Sequence, residues 1–429
     1  MNNYRTEDDF YFHEKFGKVP NGWDVKKMGD CFDFFPTSSY SREKLTEMGD
    51  CLYVHYGDIH TKFHEFIDFN TGQLPFVTKE MAARFTKIEE GDLIIADASE
   101  DYDGVGKAVE VINLQDKNAI SGLHTLHLRS KDECFVNGFK GYILNNEKVR
   151  LDVLRSTTGI KVYSVSKSGL KKILLPKPPR AEQEAIAFIL SNVDDTIRSA
   201  MNTIKATEKL KLGFIQNLLS GKLKADGTWR KEEEFSYDEK VGYYPIEWNC
   251  NRFKEFSVLQ RGKDLTDNNV VYGVYPVVKS NGTTIHHNLF TCEPPGVVTG
   301  RSGTIGKVFF LEEKYWAHNT TLYVKDFKGN HEKYIFYLIQ TMRFEKYYAG
   351  TTVPTLNRND IHRVKVAIPK SIEEQKDICK LIDNADNIIN NKRTKIKKLE
   401  RLKKSLMQNL LSGKVRVDLN KIEQLLQEQ

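Results

Sequence analysis

One repeat constrains this chain more than any other feature: Ala181 to Lys222 returns as Glu373 to Lys414. Glu182-Gln183 matches Glu374-Gln375, Asn192 and Asp194 match Asn384 and Asp386, and Gln216-Asn217-Leu218-Leu219-Ser220-Gly221-Lys222 recurs unchanged as Gln408 to Lys414. The offset is a constant 192 residues. An ungapped repeat closed by a run of identical residues points to two copies of one structural unit.

Each copy reads as one long helix. Ile186, Leu190, Val193, Ile197, Ala200 and Ile204 recur at alternating spacings of four and three, and Ile378, Ile382, Ala385, Ile389, Lys392 and Ile396 keep the same register. That is the seam of a coiled coil, narrower than the stripe of a helix buried in a broad core. Pro176, Pro178 and Pro179 precede the first copy and Pro369 the second, while Ser220-Gly221 and Ser412-Gly413 supply the stop. At 1.5 Å per residue each helix spans roughly 60 Å. Lys211 and Lys403 share one seam position and are expected to snorkel toward solvent.

The repeat extends upstream. Val19-Pro20-Asn21-Gly22-Trp23 has its counterpart in Tyr244-Pro245-Ile246-Glu247-Trp248, so the pattern is a globular part, then a helix, twice. The expected order is a loosely docked polar segment at 1–18, a globular domain at 19–180, and a spacer helix at 181–222. An exposed linker at 223–243, a second globular domain at 244–370, a second helix at 371–414 and a polar tail at 415–429 follow. Short apolar segments such as Cys51 to Tyr56, Asp92 to Ala96, Val274 to Val278 and Gly296 to Thr299 alternate with Gly, Asn and Asp, which gives an α+β class with mixed, loop-rich sheets. Gly104-Val105-Gly106-Lys107 aligns with Gly303 to Lys307, and His124-Thr125-Leu126 with His318-Asn319-Thr320. Elsewhere the two globular parts hardly resemble each other, as expected of related modules that read different ligands.

A length of 429 residues, 40% apolar and 28% charged, describes a globular protein with two or three cores, and a net charge of +6 permits nucleic-acid binding without demanding it. Six cysteines without a CxxC pair speak against a zinc site or a disulfide framework and fit a reducing cytoplasm. Neither a signal peptide nor a run of 18 apolar residues is present. The basic run Lys392 to Lys404 reads first as a solvated helix face, with DNA backbone or an acidic protein as alternatives.

Catalytic patterns are incomplete. Gly300 to Lys307 has the wrong glycine spacing for a phosphate loop, and Val308 stands where Ser or Thr is required. His64-Glu65 lacks a second histidine, and Glu293-Pro294-Pro295-Gly296 lacks the carboxamide and the aromatic of an amino-methyltransferase tetrapeptide. These patterns favour a binding protein, with no catalytic or metal-ligating residue assigned.

The Pro-x-x-x-Glu-Gln lead (Pro178 to Gln183, one residue longer at Pro369 to Gln375), the long helix and the Leu-Leu-Ser-Gly-Lys close, each present twice, resemble the specificity subunit of type I restriction-modification systems. Gly242 to Trp248 and the turn ending at Lys307 share the resemblance, as does Val353-Pro354-Thr355-Leu356-Asn357, where the first half has Val162 to Ser166 instead. The resemblance implies two target recognition domains, each reading half of a bipartite, gapped DNA site, separated by two antiparallel helices with pseudo-twofold symmetry that set the spacing. It also implies that the helices dock two DNA-methylation subunits and that motor-nuclease subunits join them. S-adenosylmethionine, ATP and magnesium would belong to those partners, with no cofactor and no catalysis in this cytoplasmic chain. The expected DNA contacts are Tyr56, Asp58, Asp97, Lys107, His124, Ser164 and Ser166 in the first half. In the second they are Arg261, Lys279, Ser280, Asn281, Arg301, Ser302, His318, Asn319, Thr355 and Asn357. A helical adaptor that binds proteins and no DNA is the alternative, and a chain that itself cleaves or methylates DNA a third reading.

Overall fold

The computed structural model describes residues 4–71, 73–131, 134–344, 348–349 and 355–427, so Val353 and Pro354 of the family-like segment lie outside the described residues. The chain divides into two compact units, Met1–Ser199 with Ile396–Gln429, and Ala200–Lys395. The long helices run Arg180–Leu219 and Ile372–Leu410, and each contributes to both units. The units therefore divide within the helices and not at the helix ends.

In the first unit a five-stranded sheet has the order Phe32–Phe35, Thr125–Ser130, Leu93–Ala96, Ala108–Ile112, Phe66–Asp68. The strand Leu93–Ala96 is buried on both faces, which is why its sequence is a continuous apolar run. Its side chains alternate: Leu93 and Ile95 join the cluster of Ile186, Leu190 and Leu410, whereas Ile94 and Ala96 join that of Val54, Ile59 and Val109. In the second unit Gly296–Gly300 lies between Thr321–Asp326 and Val308–Leu311, with Val258–Arg261 beyond Thr321–Asp326. There Val297 faces Leu218, Ile378 and Ile382, and Val298 faces the cluster of Val278 and Tyr315. Each unit adds a three-stranded sheet with one parallel pair, Ala119–Ser121 on Cys51–Val54 and Trp316–Ala317 on Tyr275–Lys279. The fold is α+β with mixed sheets, and the repetition goes further than the sequences show: the central strands correspond one to one.

The repeated motifs converge at one place in each unit. In the second, Glu374 accepts hydrogen bonds from Trp248 Nε1 at 3.1 Å and Arg230 at 2.6 Å, and Arg230 also donates to the Gly221 carbonyl at 2.8 Å. In the first, Glu182 accepts from Trp23 Nε1 at 2.7 Å and Arg5 at 2.9 Å, and Arg5 donates to the Gly413 carbonyl at 2.6 Å. The tryptophan after proline, the glutamate of Glu-Gln and the glycine of Ser-Gly-Lys are thus parts of one clamp that joins a helix start to a helix end. Gly221 and Gly413 have φ of +72° and +66°, and a Cβ on either would lie 2.3 Å or 2.2 Å from the facing proline, Pro245 or Pro20. The neighbouring glutamine fastens the helix start: Gln183 Nε2 donates to the Pro178 carbonyl and Gln375 Nε2 to that of Pro369, both at 2.9 Å.

Within each unit the helix segments run antiparallel. In the second, Glu208 pairs with Arg393 at 2.8 Å and Lys211 with Asp386 at 2.6 Å. In the first, Lys403 reaches Asp194 and Glu65, each at 2.7 Å, while Arg5 ties Glu182 to Gly413. Lys211 and Lys403 do not snorkel into solvent: each meets the repeat's other acidic residue, Asp386 or Asp194, because the repeat offset carries one ion pair onto the other.

The N-terminal segment expected to dock loosely, the exposed linker and the polar tail each contain regular structure. Phe10–His13 pairs with Gly17–Pro20, as Phe235–Asp238 of the expected linker pairs with Gly242–Pro245, and the tail forms a helix, Leu419–Gln427. The cysteines are less scattered in space than in sequence, since the Sγ atoms of Cys31 and Cys134 lie 2.7 Å apart as free thiols. Among the described residues no helix is long and apolar enough to cross a membrane.

A buried network ties the strands of the first unit. Asp92 accepts from Arg129 at 2.8 Å and contacts His127 Nε2 at 2.6 Å. Burial opposes ionisation of Asp92, but bonds from Arg129, His127 and the Glu89 amide outweigh it and hold the carboxyl below its usual range. A depressed folded-state value stabilises above the unfolded value and is lost as pH falls through the folded one. Thermal melts of the first unit should therefore fall steeply below about pH 4, and Arg129→Ala should shrink that acid-dependent loss.

Candidate nucleic-acid interface

Backbone hydrogen bonds set the two units in register. Ala96 N donates to the Lys107 carbonyl at 2.8 Å, and Gly300 N to the Lys307 carbonyl at 3.1 Å. Asp97 N donates to the His124 carbonyl at 3.1 Å, and Arg301 N to that of Thr320 at 2.8 Å. Val165 N donates to Asp97 O and Leu356 N to Arg301 O, at 2.9 and 2.8 Å. These bonds make Asp97 equivalent to Arg301, His124 to Thr320, Ser164 to Thr355 and Ser166 to Asn357. The Thr125 hydroxyl on the Gly122 carbonyl, matched by that of Thr321 on the His318 carbonyl, places His318 opposite Gly122. The sequence alignment of His124 with His318 is thereby corrected by two residues.

In the second unit the expected residues gather at the ends of neighbouring strands. Arg261 ends Val258–Arg261, Lys279 ends Tyr275–Lys279 and leads into Ser280-Asn281, and Arg301-Ser302 follow Gly296–Gly300. Ser302 forms a bridge to Thr355, Ser280 N donates to Thr320 Oγ1 at 3.3 Å, and His318 Nδ1 contacts the same hydroxyl at 2.9 Å. Arg261 and Asn281 are exposed, and Lys279, Arg301, Ser302, His318, Asn319 and Thr355 are half-buried. Burial and the neighbouring Arg261 charge lower the Arg301 value, and among the described residues no carboxylate lies within 4.0 Å of either guanidinium. Ser280 is buried and serves the turn. Asn357 caps the helix Arg358–Arg363 by accepting from Asn359 N at 2.9 Å.

The first unit places Tyr56, Asp97 and His124 together: the Tyr56 and His124 rings are edge to face at 5.3 Å, and His124 Nδ1 lies 3.4 Å from Asp97. Ser164, exposed, pairs with Ala98 beside them. Three expected contacts are engaged otherwise. Asp58 has a side chain with 0% exposure under Arg42 and Lys62, so it cannot meet a ligand there. Lys107 Nζ donates to the Phe63 carbonyl at the end of the helix Tyr56–Lys62. Ser166 caps Lys167–Leu170 by accepting from Gly169 N at 3.0 Å. Sequence reading passed over Lys263, exposed beside Arg261, and Arg358, which donates to Gln260 at 2.7 Å; neither lies in a motif.

Among the described residues no group of three or more His, Cys, Asp or Glu could hold a metal ion. What the rims offer is hydrogen-bond donors and acceptors on loops held by strand ends, cationic in the second unit and acidic and aromatic in the first.

Comparison with known proteins gives one consistent result. Residues 20–209 and 245–401 match the model described as type I restriction modification DNA specificity domain. The chain is 24% identical to the type I restriction enzyme MjaVIII specificity subunit of Methanocaldococcus jannaschii, over 97% of this chain and 98% of the relative. It is 24% identical to the putative MjaX specificity subunit of the same organism, over 95% and 98%. Among solved structures, the S subunit of a type I restriction-modification system from M. genitalium aligns with a TM-score of 0.56 at 15% identity, covering 93% of this chain and 97% of that one. At this identity the structural likeness concerns the fold.

Proposed function

This chain belongs to the type I restriction modification DNA specificity family, and on that premise we propose that it binds duplex DNA at a bipartite site, one half read by each unit. DNA sequence specificity is its role in a type I restriction-modification system. The observation that carries the two-part reading is the repeated rim: the same backbone hydrogen bonds present different side chains in the two units. A shared scaffold with unlike readers recognises two unlike half-sites. Base edges are read by side chains on the rims, and lysines, arginines and backbone amides hold phosphates.

The residues proposed for contact are Tyr56, Asp97, His124 and Ser164 in the first unit, and Arg261, Lys279, Asn281, Arg301, Ser302, His318, Asn319 and Thr355 in the second. The long helices set the distance between half-sites and dock two DNA-methylation subunits, which motor-nuclease subunits join. S-adenosylmethionine, ATP and magnesium act on those partners, and this chain contributes recognition.

Gel shifts of the full chain with a random-sequence duplex test the DNA reading. Retardation should weaken by on the order of 10³- to 10⁵-fold between 50 and 200 mM salt if six to ten phosphates are neutralised. No retardation at low salt, together with tight capture of methylation subunits, would favour a protein adaptor instead.

A further inference from the structure

Asp97 and Arg301 occupy the same place in the two units, as shown by two matched pairs of backbone hydrogen bonds, one made by each residue's N–H and one by its carbonyl. Each leaves the buried end of a central strand at the point where it meets the segment before the next one, and each carries a charge. The charges are opposite.

We propose that this shared position is a base-reading position of both units, with Arg301 specifying a guanine and Asp97 specifying a base that offers an amino group, cytosine. The inference rests on the DNA reading given above and deepens it. The chemistry follows from the major-groove edges. A guanidinium matches the O6 and N7 acceptors of guanine with two parallel hydrogen bonds, whereas a carboxylate accepts from the N4 amino group of cytosine and is repelled by guanine's acceptors.

The surroundings of both groups support it. Arg301 is half-buried near Arg261, and among the described residues its guanidinium makes only a long 3.5 Å contact to the Asn319 carbonyl. Arg261 ends one neighbour of the strand Thr321–Asp326 and Arg301 follows the other, Gly296–Gly300, and two cations so placed without a carboxylate among the described residues suit an acceptor-rich partner. The Asp97 side chain is 29% exposed, and among the described residues its carboxylate has one titratable neighbour within 4.0 Å, His124 at 3.4 Å. Burial raises the Asp97 carboxyl above its usual range, with His124 opposing, so this anion also lacks full compensation within the chain. A structural ion pair would be closer and better buried, like Asp92 with Arg129.

The test is selection of bound duplexes from a random pool by the full wild-type chain and by Arg301→Gln and Asp97→Asn, with thermal melts to verify folding. Asp97→Asn keeps size and removes charge, while Arg301→Gln removes charge and shortens the side chain but leaves it a hydrogen-bonding end. Arg301→Gln should relax one guanine position in one half of the motif by roughly tenfold or more and leave the other half intact. Asp97→Asn should relax one cytosine in the opposite half. Affinity lost evenly over all sequences would make the position a phosphate or field contact and overturn the proposal, as would an unchanged motif in both variants. If the wild-type chain itself selects no motif, the DNA reading falls and this proposal with it.

Discussion

Glu374→Ala should cost the second unit about 3–5 kcal/mol of stability, the range for removing one partner of a buried ion pair. The Arg230 side chain is only 4% exposed, and among the described residues Glu374, at 2.6 Å, is its one carboxylate partner within 4.0 Å. Without Glu374 the guanidinium keeps the Gly221 carbonyl and its place over the Trp248 ring, 5.7 Å from the centroid, but stays buried with an uncompensated charge. Trp248 Nε1 loses its acceptor as well. Glu374→Gln, which still offers an oxygen to Trp248, should cost less. Glu182→Ala should act alike on the first unit, where Arg5 and Trp23 hold the same posts. Chemical denaturation of the full chain should then show a split transition in either alanine variant, with one unit melting early.

Deleting one heptad from both long helices, residues 200–206 and 391–397, should shorten the preferred gap between half-sites by about three base pairs or abolish binding to the native site. Seven residues at 1.5 Å rise span about 10 Å, and duplex DNA rises about 3.4 Å per base pair. Whole-heptad deletions keep the seam in phase and leave the pairs Lys211 with Asp386 and Lys403 with Asp194 outside the cut. Selected motifs with an unaltered gap would remove the spacing role from the helices.

The helices were legible in the sequence because they carry a seam, proline entries and glycine exits, and because a single offset relates the copies. The clamp was half legible. Its glutamate, tryptophan and glycine lie in motifs, but Arg5 and Arg230 stand alone, at the 225-residue offset that also relates Trp23 to Trp248. That same offset relates Phe10–His13 to Phe235–Asp238, so the hairpin could have been found by following it. Correspondence of the rims was hidden by loop lengths. The offset falls from 225 at Trp23 to 204 at Asp97, 196 at Thr125 and 191 at Ser164, so no one alignment shift reveals it. Strand pairing does, because hydrogen bonds are fixed by the backbone whatever the side chains. Lys107 and Asp58 show the converse limit: charge near a loop marks a candidate contact, yet a helix end or an internal ion pair can absorb it.

The most direct measurement is sequencing of the duplexes that the full chain retains from a random pool at moderate salt. The account predicts an asymmetric motif of two short, unlike blocks separated by an unspecified gap of fixed length, about one helical turn centre to centre. A single contiguous block, or enrichment of no sequence by a chain that still binds DNA, would contradict it.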